Sequence, residues 1–456
     1  MAVYLVDTGC FLPPEELRVN CDDIDATNFW HNSFLNAGAT EEQAMSNIAF
    51  QKRVFDRSGI TRDGTYLPKS IHPILNHGQP KTDYDTAYDE CLMSVSGAVE
   101  DLLKKTGLKP RDVDILVTTC SIYVPTPSMA SMVVNKFKMR SDIHSYHLGG
   151  MGCSNGVVAV NLIHDILHAH PNSNAILVTN ETLTPAFYRG IDPHRLVGNT
   201  LFRMAAAAVL MSNKRSWKTS GRAKYVLQRQ VRVHNAANDD AYRCIWSGPD
   251  DQGIMGTYLG KNVVAEASKS LTQAMVKIGP YALSWRELAR VGVNMVQRRL
   301  GSAEKRYNPS FSSGIDVFLI HAGGAKVLDG IGSALRLEEG HLTASRAVLH
   351  DYGNISSSST WYTLAFAESC QGVRQGDRIM QVGVGSGVKC GVNIWKALRE
   401  IDDVHEIWRH RVGAGRTERP KVTRPTITAY MVFALMVVLG AMAAAWVRFA
   451  SLLAPA

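Results

Sequence analysis

The sequence predicts an α/β fold made of two similar halves, followed by one apolar C-terminal helix. Three observations carry the duplication. The apolar run Ile115-Leu116-Val117 behind Asp114 returns 202 residues later as Val317-Phe318-Leu319 behind Asp316. The run Ala175-Ile176-Leu177-Val178 has a counterpart in Arg378-Ile379-Met380-Gln381, with Ile379 203 residues after Ile176. Between the runs of each pair lies a Gly/Ser-rich turn that opens a helical pattern, 149–156 (GGMGCSNG) in one half and 353–359 (GNISSSS) in the other. Short apolar runs alternating with helical patterns mark strands buried between helices. Two such units imply halves related by a pseudo-twofold axis, with Cys153 and Asn354, 201 residues apart, at matching helix N-termini.

The elements follow in order along the 456 residues. Residues 1–214 form the first half. Residues 215–310 interrupt the echo and read as an insertion or connection, with helical stretches at 263–276 and 285–299. Residues 311–400 form the second half, 401–425 a basic linker, and 426–456 an anchor with a short tail. Of the net charge of +8, +5 comes from residues 409–424, where Arg409, Arg411, Arg416, Arg419, Lys421 and Arg424 face one acid, Glu418. No nucleic-acid-binding motif accompanies it, so nucleic acid is not an expected partner. Residues 428–447 hold no charge. As a helix they extend about 30 Å, the thickness of a bilayer core. Tyr430 and Trp446 stand near the two ends, as interfacial aromatics do, and the basic linker places the body of the chain on the cytosolic side. No N-terminal signal peptide is read.

The eight cysteines show no CxxC and no zinc-ligand spacing, so they read as reduced, mostly buried thiols, and no metal is expected. Cys153 differs in its setting. A thiol in a glycine-rich turn at a helix N-terminus meets the positive end of the dipole, which favours thiolate, and the neighbouring amides can hold an oxyanion. The alternative is an inert packing cysteine. His321 closes a predicted buried strand before Ala322-Gly323-Gly324, a place from which an imidazole can project into a crevice; a structural histidine is the alternative. Asn354 serves equally as a helix N-cap, and its match to Cys153 across the halves favours a role in a site. The glycines at 383–387 lack the GxGxxG spacing of a dinucleotide site. Cys, His and Asn in this order also describe papain-like proteases, but no CGSCW-like sequence surrounds Cys153.

The stretches 135–156, 170–181, 201–213, 321–329 and 345–362, extended by 376–398, with YLVD at 4–7 and PTPS at 125–128, resemble the plant-type very-long-chain 3-ketoacyl-CoA synthases within the thiolase-like condensing enzymes. The resemblance is collinear over roughly residues 2–400. It implies a thiolase-like αβαβα fold in five layers and a homodimer. It also implies a Cys153–His321–Asn354 catalytic set, with the amides of Cys153 and Gly387 as oxyanion hole. The implied reaction is decarboxylative condensation of a long-chain acyl-CoA with malonyl-CoA, without cofactor, at the endoplasmic reticulum, alongside reductase and dehydratase partners. Substrate-binding residues are not identified. The chain departs from the family in carrying Val317 where many members have histidine, and FRMAAAA where the family has FRMGGAA. Its apolar segment follows the condensing region, whereas members of the family usually carry two such spans before it. Three rivals remain: a chalcone-synthase-type polyketide synthase, a silent scaffold subunit, and a thioesterase using Cys153.

Overall fold

The computed structural model describes residues 1–420 apart from 303, 414 and 416. The expected membrane span at 428–447 therefore lies outside the described residues. Among those described, no helix is long and apolar enough to cross a membrane.

The strands are β1 Tyr4–Cys10, β2 Arg18–Val19, β3 Thr65–Tyr66, β4 Ile115–Thr119, β5 His144–Leu148, β6 Asn174–Asn180, β7 Ala206–Ser212, β8 Tyr225–His234, β9 Ile245–Pro249, β10 Met255–Leu259, β11 Val317–Ile320, β12 Arg378–Gly385 and β13 Lys389–Ala397. Nine of them make one mixed sheet in the order β11-β12-β13-β8-β1-β7-β6-β4-β5. The duplication is explicit in the pairing. The parallel pair β4–β6 recurs as β11–β12, with Ile115 opposite Ala175 and Val317 opposite Ile379. The antiparallel pairs β6–β7 and β7–β1 recur as β12–β13 and β13–β8. The halves join where β1 meets β8 over only two residue pairs, Tyr4–Val226 and Leu5–Tyr225.

This pairing corrects the reading of 215–310 as an insertion. That interval supplies β8, the counterpart of β1, and the helix Val263–Ala282, which covers β8 and β13 as the helix Tyr84–Thr106 covers β1 and β7. The second half thus begins near Tyr225, and only the β9–β10 hairpin and the segment after Ala282 are additions. Between the two sets of strands lie the helices Asn155–Ala169 and Ser359–Phe366. The latter is buried on every side, and its hydroxyls are paired inside the fold: Ser359 with His321, Thr360 with Gln381, Tyr362 with the Phe11 carbonyl and Thr363 with the Ser359 carbonyl. Helices outside, strands, central helices, strands and helices again give the five layers.

A second correction concerns register. Met151, Gly152 and Ser154 have the backbone angles of Ile355, Ser356 and Ser358, with left-handed φ of 55° at Gly152 and 49° at Ser356. The counterpart of Cys153 in the second turn is therefore Ser357, and Asn354 stands three residues before it.

Beside the β1–β8 junction, the buried Lys224 Nζ donates to Asp7 Oδ1 at 2.6 Å and Glu368 Oε2 at 2.7 Å, and pairs with Asp403 Oδ2 at 2.9 Å. Tyr225 donates its hydroxyl to Glu368 Oε1 at 2.8 Å, and His405 Nε2 lies 2.7 Å from Glu368 Oε2. Asp7, Glu368 and His405 are close enough to hold a cation, and the ammonium of Lys224 already fills that place. Lys224 counters the desolvation of Glu368 and holds its carboxyl well below the usual range. A depressed acid stabilises the fold above its unfolded pKa, and this stabilisation is lost as pH falls through the folded value. Lys224→Met should destabilise the chain by about 3–5 kcal/mol, because it strands a buried carboxylate. Adding Glu368→Gln should recover part of that loss, and denaturant melts of the two variants measure both.

Candidate active site

The first turn puts Cys153 at the start of the helix Asn155–Ala169. Gly152 N donates to Ser121 Oγ at 2.7 Å, and Ser154 Oγ donates to the Met151 carbonyl at 2.7 Å, which fixes the turn on both sides of the thiol. The second turn leans directly on the first. A Cβ on Gly156 would overlap the Ser357 carbonyl oxygen, and one on Gly385 would overlap the Met151 carbonyl, so hydrogen is the only substituent that fits at either position.

Cys153, His321 and Asn354 line one cavity of about 520 Å³. His321 follows β11, is 4% exposed, and has Nδ1 2.6 Å from Ser359 Oγ. A hydroxyl can accept from or donate to that nitrogen, so Ser359 supports either imidazole tautomer. Burial lowers the His321 pKa to about 4, only partly offset by the Ser356 backbone, so the ring is neutral at physiological pH. Asn354 is oriented without ambiguity. Its Oδ1 accepts Ser356 N–H at 3.0 Å and its Nδ2 donates to the Gly323 carbonyl at 3.2 Å, which leaves the second Nδ2 hydrogen for a ligand. The first half pins its backbone: Asn354 N donates to the Leu201 carbonyl, and Arg203 N to the Asn354 carbonyl, each at 3.0 Å. The buried Arg203 guanidinium ties down the same loop, donating to Thr65 Oγ1 and to the Thr200 and Phe202 carbonyls. Desolvation brings its pKa to about 10, still charged at neutral pH.

Two site residues escaped the sequence reading. Glu181, just past β6, is buried and accepts the N–H groups of Ser121 and Ile122 at 2.9 Å each. Ser356 Oγ lies 3.0 Å from Glu181 Oε2 and 3.6 Å from Cys153 Sγ. Ser356 Oγ faces both as a donor, and its single hydroxyl proton can serve only one of them at a time. An acid just past the apolar run Ala175–Val178, in ILVTNE, is the one signal the sequence offered for Glu181.

Cys153 itself reverses an expectation. Burial, reinforced by the charge of Glu181 and only partly opposed by Ser356, pushes the thiol up to about 12, so it rests as S–H and not as thiolate. Gly387 also shifts. It is not among the residues lining the cavity, whereas Ser386 is, and Ser386 N lies 3.1 Å from where a Cβ on Gly152 would stand. The amide beside the Cys153 turn is that of Ser386, one residue before the expected Gly387.

The rest of the cavity wall comes from both halves. Val263, Val264, Ala267 and Leu271 give it an apolar side with Val327 and Ile331, the β9–β10 hairpin adds Ile245 and Leu259, and Arg53, Arg57 and Lys326 supply positive charge.

Comparison with known proteins bears on the family and the fold. The family model described as FAE1/Type III polyketide synthase-like protein matches residues 1–300, and that of the chalcone and stilbene synthases, C-terminal domain, matches residues 293–396. The Arabidopsis thaliana protein named 3-ketoacyl-CoA synthase 6 is 42% identical over 400 residues, which cover 88% of this chain and 77% of that protein. Its relative 3-ketoacyl-CoA synthase 5 is 40% identical over 88% of this chain and 78% of its own. Among solved structures, a fungal type III polyketide synthase superposes with a TM-score of 0.65 at 18% identity, over 87% of this chain and 100% of that one. A type III pentaketide synthase from Neurospora crassa gives 0.64 at 18%, over 87% and 99%. At that identity the two structures speak for the fold alone, which is the thiolase-like fold of the type III polyketide synthases. By sequence, the chain belongs to the FAE1/type III polyketide synthase-like family, with relatives named 3-ketoacyl-CoA synthases.

Proposed function

We propose that the protein is a 3-ketoacyl-CoA synthase that condenses a long-chain acyl-CoA with malonyl-CoA in very-long-chain fatty acid elongation. The observation that carries this reading is one cavity in which a thiol, a neutral imidazole and an oriented carboxamide share space with an apolar wall and basic side chains. The apolar side suits an acyl chain, and Arg53, Arg57 and Lys326 suit the phosphates of coenzyme A.

Attack begins from the thiol. As Cys153 Sγ bonds to the acyl carbonyl carbon, its proton passes to His321 and from there to the departing CoA thiolate. The amides of Cys153 and Ser386 hold the tetrahedral oxyanion. Malonyl-CoA then occupies the emptied position. His321 and Asn354 donate to its thioester carbonyl as the C–C bond to carbon dioxide breaks, and the electron pair left behind is held as an enolate. That carbon attacks the acyl-Cys153 carbonyl, and the Cys153–acyl bond breaks. One proton from solvent restores the thiol, and the product is a 3-ketoacyl-CoA two carbons longer. Decarboxylation generates the nucleophile, so no redox cofactor or metal enters the scheme. The same reading includes a homodimer through the open edge of β5, whose residues His144, Ser145 and Tyr146 are exposed. It also includes a C-terminal anchor in the endoplasmic reticulum and separate reductase and dehydratase partners.

Purified full-length protein given labelled malonyl-CoA and long-chain acyl-CoAs should yield the elongated 3-ketoacyl product, and Cys153→Ala should abolish it. His321→Ala and Asn354→Ala should lower condensation by about 10²-fold or more while sparing acyl-enzyme formation in the Asn354 variant. Free fatty acid released without malonyl-CoA would point to a thioesterase instead. Because Cys153 rests protonated, inactivation of the free protein by iodoacetamide should keep accelerating from pH 7 to about pH 10. A rate already level at pH 7 would mean a thiolate–imidazolium pair and would refute the neutral resting state.

A further inference from the structure

The helix Trp285–Arg299 faces the wrong way for a helix of a soluble body. Its polar side is turned inward: Glu287 is buried and accepts Tyr307 O–H and Ser310 N–H at 2.9 Å each. Two turns further on, Asn294 Nδ2 donates to the Lys305 carbonyl at 3.1 Å, and its Oδ1 accepts Tyr307 N–H at 2.8 Å. Its apolar side is turned out. Val293, Met295, Val296 and Leu300 are 57%, 67%, 58% and 76% exposed, and Leu288 joins them one turn earlier. Leu288 and Met295 stand seven residues apart on one side, and Val296 and Leu300 continue the same face.

We infer that this face is a second membrane contact, with the helix lying in the interface of a bilayer that carries anionic headgroups. Four of its fifteen residues are arginines, Arg286, Arg290, Arg298 and Arg299, all exposed, and Lys305 and Arg306 follow. Only Glu287 opposes them on the helix, and it is spent inside on Arg290, Tyr307 and Ser310. A broad apolar face rimmed by arginines, with Trp285 at the start of the helix, is the composition that holds a helix at the headgroup boundary. Arg299 lies within the apolar arc, where its stem can follow lipid while its guanidinium reaches a phosphate. A second copy is the less fitting occupant. The sheet's open edge, β5, is at the opposite end from β11, into which the segment after this helix leads, so pairing through β5 leaves the helix uncovered. The inference is independent of the proposed reaction.

The test uses the full chain reconstituted in vesicles of phosphatidylserine and phosphatidylcholine. Val296→Cys and Gln297→Cys variants are labelled with an environment-sensitive fluorophore, with labelling of the parent chain subtracted. Lipids brominated high on the acyl chain serve as depth quenchers. The Val296 label should shift to the blue and lose roughly half of its emission to the bromines, the Gln297 label much less. In vesicles of phosphatidylcholine alone the shift at Val296 should shrink, and an equal shift there would overturn the anionic headgroup assignment. A Val296 label that emits as in water would overturn the inference. So would a blue shift without bromine quenching, which would mean that protein and not lipid covers the face.

Discussion

The site depends on how closely two helix-opening turns approach across the pseudo-twofold axis. Gly156 meets the Ser357 carbonyl with no room for a methyl group, and Gly385 meets Met151 in the same way. Hydrogen bonds then lock the approach. Ser358 Oγ donates to the Thr179 carbonyl at 3.0 Å, and Asn393 Nδ2 donates to the Val157 carbonyl at 3.0 Å. Cys153 sits one turn from Gly156, and Ser356 precedes Ser357, so any widening of this contact separates the thiol from its hydroxyl partner. The β1–β8 junction is too short to hold the halves alone, and the Lys224 cluster beside it adds a fixed polar contact between segments of both. Rigid packing of this kind is what lets a site built from two halves keep sub-ångström geometry.

The chemistry of the cavity follows from dryness. The same loss of solvation raises the Cys153 thiol and lowers the His321 imidazole, since each charged form is the one deprived of water. The resting pair is therefore neutral, and charge appears only while a bond is changing, where amide and carboxamide donors are already aimed. In such a medium these donors act more strongly than they would in water. Burial also raises the Glu181 carboxyl above its ordinary range, and two backbone N–H groups and Ser356 partly offset that rise.

The repeated apolar runs were legible because β4, β6, β11 and β12 lie inside on both faces and read as runs of buried side chains. β8 escaped for the opposite reason. Its residues YVLQRQVRVH alternate and are half-exposed, while its counterpart β1 is almost wholly buried. One structural position thus carries two unlike patterns, and an echo sought in apolar runs misses it. Cys153 and His321 stood out through neighbouring glycines. The register of the second turn did not, because the same left-handed backbone is made by glycine at 152 and by serine at 356. A conformation shared without a shared residue leaves no mark in a sequence. Solvation is equally silent: a helix N-terminus argues for thiolate until the depth of the thiol is known.

That serine shows why a symmetric scaffold has one reactive centre. A non-glycine residue in the left-handed region costs about 1 kcal/mol or more, so Ser356 is held there by its surroundings. What the strained position delivers is a hydroxyl placed between Cys153 and Glu181, which glycine could not supply. At the matching site of the first turn, glycine takes the same angles without strain, and its missing side chain lets Ser386 approach. The counterpart of Cys153, Ser357, is buried with its hydroxyl turned to the Asn180 carbonyl and its own carbonyl against Gly156. One turn opens on the cavity and the other packs beneath it. The duplication supplies the geometry twice, and burial decides which copy has room to react.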